Sequence, residues 1–168
     1  MFLRITTVVA LSFIVAPMLL AGATALDEKN GFRDLTFGDE IDSVGGLTPV
    51  EGEGADSTWY VRESDSMSIG TASLASIRYN FYKGQLAVVQ LTAGGSDCDA
   101  LQETLRDSFG KGSKTSKLVP RSWWIGSLVS MSYEKTGETC EVYLLSKPIG
   151  DQKDADSKQA GKATTGGL

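Results

Sequence analysis

Residues 76–110 read SIRYNFYKGQLAVVQLTAGGSDCDALQETLRDSFG, and within this stretch the spacing of apolar residues changes. Ile77, Tyr79 and Phe81 alternate with Arg78, Asn80 and Tyr82, the period of two that marks a half-buried strand. Lys83-Gly84 is a turn signal, and Leu86–Leu91 returns as a second strand, apolar on nearly both faces. Then the period lengthens. Ser96 and Asp99 make an S-x-x-D capping box, so a helix is predicted to start near Asp97. Cys98, Leu101, Leu105 and Phe109 follow at steps of three and four, giving that helix one apolar face. Gly110 is its natural stop.

Upstream, Phe32–Gly38 is predicted as a short strand or extended entry anchored by Phe32 and Phe37. Asp39–Val44 has room for one or two helical turns before Gly45-Gly46. Thr48–Asp56, with Pro49, Gly52, Gly54 and three acids, is predicted as a loop. Ser57–Arg62 contains Trp59, Tyr60 and Val61 and is predicted as a strand, with a second short alternation at Met67 and Ile69. Downstream, Lys111–Lys117 is a basic loop. Trp123–Tyr133 alternates through Ile125, Val129, Met131 and Tyr133, Thr136-Gly137 turns the chain, and Cys140–Leu145 is a last strand. Hairpins dominate and no strand-helix-strand rhythm repeats. The fold class is therefore α+β, an antiparallel sheet of hairpins with one main helix, 97–109, packed on one face.

The two ends have other compositions. Arg4, an apolar run over Val8–Leu20 and the small residues Ala23-Thr24-Ala25 form an export signal, 1–25, with cleavage before Leu26. The competing reading is an uncleaved anchor, but Thr6, Thr7, Ser12, Pro17, Gly22 and Thr24 dilute the run below what a membrane span needs. Residues 151–168 hold no aromatic or large apolar residue before Leu168 and are expected to stay disordered. That leaves 26–150 as a single domain with no stable membrane span after signal removal and a periplasmic or secreted destination.

In such a compartment Cys98 and Cys140, 42 positions apart, are most simply a structural disulfide, the alternative being two buried thiols. Cys98 falls on the helix's apolar stripe, and the inward set of the last strand is Cys140, Val142 and Leu144. A helix face and a sheet face lie within disulfide reach.

The helix ending in Phe109-Gly110-Lys111, the aromatic-rich strand after it and the antiparallel hairpins resemble the SmpA/OmlA and β-lactamase-inhibitor-protein-like superfamily. Phe37-Gly38-Asp39-Glu40-Ile41, and later Tyr79-Asn80-Phe81-Tyr82-Lys83-Gly84-Gln85-Leu86, repeat the same logic in the first half. The resemblance spans most of 32–146 and implies a small exported domain that binds other proteins, in envelope assembly or by inhibiting an enzyme. Members of the assembly branch are typically lipoproteins, whereas this chain has no cysteine at the signal for lipid attachment.

Sixteen basic and 21 acidic residues give a net charge of −5, without a single histidine. The balance argues against nucleic acid as a partner, which needs a basic face. Without histidine there is no Ser-His-Asp or Cys-His catalysis and no imidazole metal site. Gly110-Lys111-Gly112-Ser113-Lys114-Thr115 has the wrong register for a phosphate loop and follows a helix C-terminus, which repels phosphate. Asp39, Glu40, Asp42, Glu51, Glu53 and Asp56, with Asp97 and Asp99, lack calcium-loop spacing, and no cofactor is implied. The recognition candidates are Trp59 with Tyr60, Trp123 with Trp124, and the cations Lys111, Lys114, Lys117 and Arg121. Adjacent aromatics in a strand point to opposite faces, so one of each pair enters the core and the other lies under a second layer or meets solvent. The cations offer a contact for an anionic envelope component, or simply complement a helix end. The chain is expected to be a non-enzymatic binding domain of the bacterial envelope, contacting a protein. The alternative is a carboxylate-dependent hydrolase or binder of envelope polysaccharide.

Overall fold

The computed structural model describes residues 20–52, 56–114 and 121–165. In chain order these form α1 (Leu20–Lys29), the short strands β1 (Gly31–Phe32) and β2 (Leu35–Thr36), and a single 3-10 turn at Ile41–Ser43. Strands β3 (Leu47–Gly52), β4 (Ser57–Arg62), β5 (Ser68–Ile69), β6 (Ala72–Ser73), β7 (Ser76–Tyr82) and β8 (Gln85–Gly94) follow. Helix α2 (Asp97–Phe109) then leads to β9 (Ser113–Lys114), β10 (Arg121–Ile125), β11 (Val129–Thr136), β12 (Thr139–Ser146) and α3 (Lys147–Thr165).

The fold is α+β. Eight strands form one antiparallel sheet in the order β3-β4-β7-β8-β12-β11-β10-β9. That order is two four-stranded units joined back to back at β8 and β12, with Leu91 opposite Val142 and Val89 opposite Leu144. Lys83 and Gly84 both take positive φ, 48° and 82°, which suits the tight turn joining β7 to β8. One sheet face carries the core: Tyr79, Val89, Leu91, Val142, Met131 and Tyr133 are each at most 1% exposed. Helices α1 and α2 cover it, with Cys98, Leu101 and Leu105 buried on α2. Cys98 and Cys140 form the disulfide, their Cα atoms 5.6 Å apart, tying α2 to β12.

Beside this core, Asp65 is buried (side chain 2% exposed) between Arg33 and Arg62, each 3.0 Å away, and it accepts the Tyr79 hydroxyl proton at 2.5 Å. Arg62 also grips Asp34 through two bonds of 2.7 and 2.9 Å. Three segments distant in sequence, 33–34, 62–65 and 79, are thereby joined. At the other end, the Asp27 carboxylate of α1 accepts backbone N–H groups of Ser127 (2.6 Å), Leu128 (2.8 Å) and Val129 (3.0 Å) in the β10–β11 turn. A side chain at Gly126 would collide with that carboxylate.

Several expectations need correction. Residues 151–165 are helical rather than disordered, while 166–168 lie outside the described residues. The helix gains from Ile149, 7% exposed, which packs with Tyr82 and Ala87, an anchor that lies just before the segment judged by its own composition. Thr48–Asp56 is not simply a loop: β3 runs through it as an edge strand, where Pro49 is tolerated and a register shift lies between Pro49 and Glu51. The stretch Trp123–Tyr133 is a hairpin, β10 and β11, with Ile125 64% exposed at its corner. Helix α2 has the expected limits but no capping box, because Ser96 makes no side-chain cap bond. Asp97 instead accepts the Ser73 N–H at 2.8 Å, and Asp99 pairs with Lys135 at 3.0 Å. Apart from these corrections, Leu26, the residue after the expected cleavage point, lies within α1 and is 1% exposed in the core.

Candidate functional site

The sheet face opposite the core is built by the other parity of the same strands. Its central row crosses five strands in register: Arg78 opposite Gln90, Gln90 opposite Tyr143, Tyr143 opposite Ser132, and Ser132 opposite Trp123. Gln90 is buried and fully occupied, donating to Tyr143 Oη at 2.7 Å and Glu141 at 3.1 Å while its carbonyl oxygen faces Arg78 Nη1 at 3.4 Å. Burial, and then the Glu141 carboxylate, push the Tyr143 hydroxyl above its ordinary pKa, so it stays a neutral donor. At either end of the row a tryptophan lies under a guanidinium. Arg78 stands 4.9 Å from the Trp59 ring centre, and Arg121 stands 5.4 Å from that of Trp123. The face is thus a half-buried polar and aromatic band with its groups already oriented, able to donate and accept hydrogen bonds and to stack.

The tryptophan pairs divide as alternation requires. Tyr60 packs toward the core, edge-on to Phe81, and Trp124 is 5% exposed with its Nε1 donating to the Gly110 carbonyl at 2.9 Å. Trp59 and Trp123 take the outer face. Trp59 is nevertheless only 6% exposed, so it supports the band from beneath Arg78 instead of standing free, whereas Trp123 is half-buried.

Two of the four cations, Arg121 and Lys111, have described side chains. Arg121 heads β10 and pairs with Glu134 on β11. Lys111 is exposed and shares a cleft of about 340 Å³ with Phe109, Trp123 and Trp124. Lys114 lies in β9 and pairs through its backbone with Ser122 of β10, and Lys117 lies outside the described residues.

Asp39 accepts the Thr36 N–H at 2.8 Å and Glu40 accepts from Gln85 at 3.1 Å. Among the described residues no three such ligands come together in a way that would hold a metal ion. Glu53 lies outside the description.

Arg78, Gln90, Glu141 and Tyr143 were not singled out in the sequence. Their signal was present in the parity: if Ile77, Tyr79, Val142 and Leu144 point inward, then Arg78, Glu141 and Tyr143 must share the opposite face. Comparison with protein-family models, with curated proteins and with solved structures finds no match to this chain.

Proposed function

We propose that the chain is an exported, non-enzymatic binding domain of the bacterial envelope that contacts another protein, in an assembly or inhibitor role, through the outer face of its sheet. The observation that carries this reading is the five-strand row from Arg78 to Trp123. Aromatic and arginine side chains held in fixed rotamers are the groups that dominate protein interfaces, because they bring area with little entropy left to lose. The export signal in 1–25 and the disulfide support a destination outside the cytoplasm. No helix among the described residues is long and apolar enough to cross a membrane. With cleavage before Leu26, both Leu26 and the Asp27 clamp remain in the mature chain. The motif resemblance to the SmpA/OmlA and β-lactamase-inhibitor-protein-like superfamily supports the same reading.

The test is affinity capture from envelope extract with the native chain and with Tyr143→Ala and Trp123→Ala. A protein retained by the native chain and lost by either variant at least tenfold is the expected result. Near-ultraviolet circular dichroism checks that the variants keep the fold. Recovery of cell-wall fragments in place of a protein overturns the proposal in favour of polysaccharide recognition. Mass spectrometry of the mature chain should show Leu26 first, and a membrane-bound chain still beginning at Met1 would refute export by cleavage.

A further inference from the structure

Helix α3 follows β12 and lies across one end of the outer face. Ile149 packs against Tyr82, Ala87 and Val88, and Lys147 Nζ donates to the Gly126 carbonyl at 3.1 Å. Asp156 accepts from the Tyr82 hydroxyl at 2.8 Å and from Lys83 Nζ at 2.7 Å. The row of the sheet beneath the helix runs next to the central band. In it Trp59 stands opposite Asn80, Asn80 opposite Val88, Val88 opposite Leu145, and Leu145 opposite Ser130. With α3 seated, a cleft of about 440 Å³ remains between the two. Asn80, Val88 and Leu145 floor it, and Ile149, Gly150 and Lys153 wall it on the helix side. Its size and its mostly apolar floor are those of a small-molecule site.

Asn80 is the polar exception in that floor. It is 2% exposed, and among the described residues only its Nδ2 and Arg121 Nε are buried side-chain polar atoms without a hydrogen-bond partner. The other end of the amide is engaged. Lys153 Nζ donates to Ser57 Oγ at 3.4 Å, and Ser57 Oγ in turn donates to Asn80 Oδ1 at 3.1 Å. An ammonium only donates, so this chain of bonds sets the amide oxygen toward Ser57 and leaves the NH2 end unpaired. A buried donor without an acceptor is costly, and an apolar residue here would avoid the cost. What the donor lacks is an oxygen. The charges around the cleft are placed unequally: Lys147 and Lys153 are half-buried, whereas Asp151 and Asp154 are exposed. The nearer charge is positive.

We propose that this cleft is a binding site for a small organic acid, a carboxylate carried on a short apolar body. The site goes beyond the protein-binding reading above and leaves α3 where it is. One carboxylate oxygen accepts from Asn80 Nδ2, and Lys153 supplies the countercharge. The apolar body lies on Val88, Leu145 and Ile149. Gly150 keeps the space open: nothing lies within 4 Å of where its Cβ would stand, so no packing contact asks for a glycine, which weakens the helix.

The probe is isocaproate, titrated into the purified exported chain and followed by NMR at the side-chain NH2 signals of Asn80, which are assigned by their absence in Asn80→Leu. Isocaproate should shift these signals saturably. The neutral amide of the same acid should bind at least threefold more weakly, and the amine of the same carbon skeleton should not bind. Lys153→Gln should narrow the difference between acid and amide. By calorimetry, Asn80→Leu and Gly150→Leu should each weaken isocaproate at least tenfold, the first by removing the donor and the second by filling the cleft. No saturable shift in the native chain, equal affinity for acid and amine, or undiminished binding to Gly150→Leu would each overturn the site. If Asn80→Leu loses its near-ultraviolet signal, Gly150→Leu decides, because its side chain enters open space at an exposed position. Tyr143→Ala should leave the isocaproate titration unchanged, so failure of this site and failure of the central band are read separately.

Discussion

At the scale of single residues, Arg62 touches two acids whose worth should differ greatly. Asp65 has a 2% exposed side chain between two arginines and a tyrosine, whereas the Asp34 side chain is 66% exposed. Arg62 holds the Asp34 carboxyl down to about 2, yet solvent screens that pair and its removal should cost under about 1 kcal/mol. Asp65→Ala takes the shared carboxylate from Arg33 and Arg62, which keep the Ser66 and Ser68 carbonyls and Asp34 respectively, and leaves the buried Tyr79 hydroxyl without its acceptor; it should cost about 3–5 kcal/mol in chemical denaturation. Similar losses for Asp34→Ala and Asp65→Ala would contradict this. Asp27 supplies a pH signature. Burial raises its pKa, but the N–H bonds from Leu128, Val129 and Ser127 outweigh that and leave it below the ordinary 3.8. A carboxylate lowered on folding contributes stability above its unfolded value, and that contribution is lost as pH falls through the folded value. Asp27→Asn should therefore destabilise by about 2 kcal/mol at pH 7 and flatten the loss of stability below about pH 4. A variant with the native acid limb would show that the clamp does not carry it.

At the scale of elements, the disulfide joins α2 to the last strand of the sheet. Cys98 and Cys140 are 0% and 1% exposed, so no redox turnover is expected of them. Cys98→Ser and Cys140→Ser should each lose roughly 3–4 kcal/mol in the chain-entropy model, and the double variant no more than either. Thermal unfolding of the three variants, with a thiol assay on the native chain, measures this. Two titratable thiols in the native protein, or additive losses, would separate the residues. Both the bond and the limits of α2 were legible in the sequence, because the stripe Cys98-Leu101-Leu105 and the alternation Cys140-Val142-Leu144 are local patterns. The helix cap was not. Ser96 and Asp99 have the right spacing for a capping box, but Lys135 and the Ser73 backbone offer Asp99 and Asp97 other partners from distant segments.

At the scale of the whole molecule, the two four-stranded units share the β8–β12 seam, where Val89, Leu91, Val142 and Leu144 are buried together. A core that crosses the seam should make the units unfold as one. Tryptophan fluorescence and far-ultraviolet circular dichroism should give coincident denaturation curves, and two separated midpoints would show independent units. The sequence by itself determined the α+β class, the β7–β8 hairpin, the span of α2 and which cysteines meet, since each rests on periodicity or on a choice among two residues. Tertiary structure alone decided the rest. It made β3 a strand by lending it the edge of β4, and it set Trp59 beneath Arg78 while leaving Trp123 half-open. It also ordered α3: Tyr82 and Lys83, 74 and 73 positions before Asp156, provide contacts that a polar helix cannot supply for itself. The physical reason is that periodicity tells which way a side chain points but not what stands opposite, and for an edge strand, a polar helix or an outward tryptophan the neighbour is what settles the conformation.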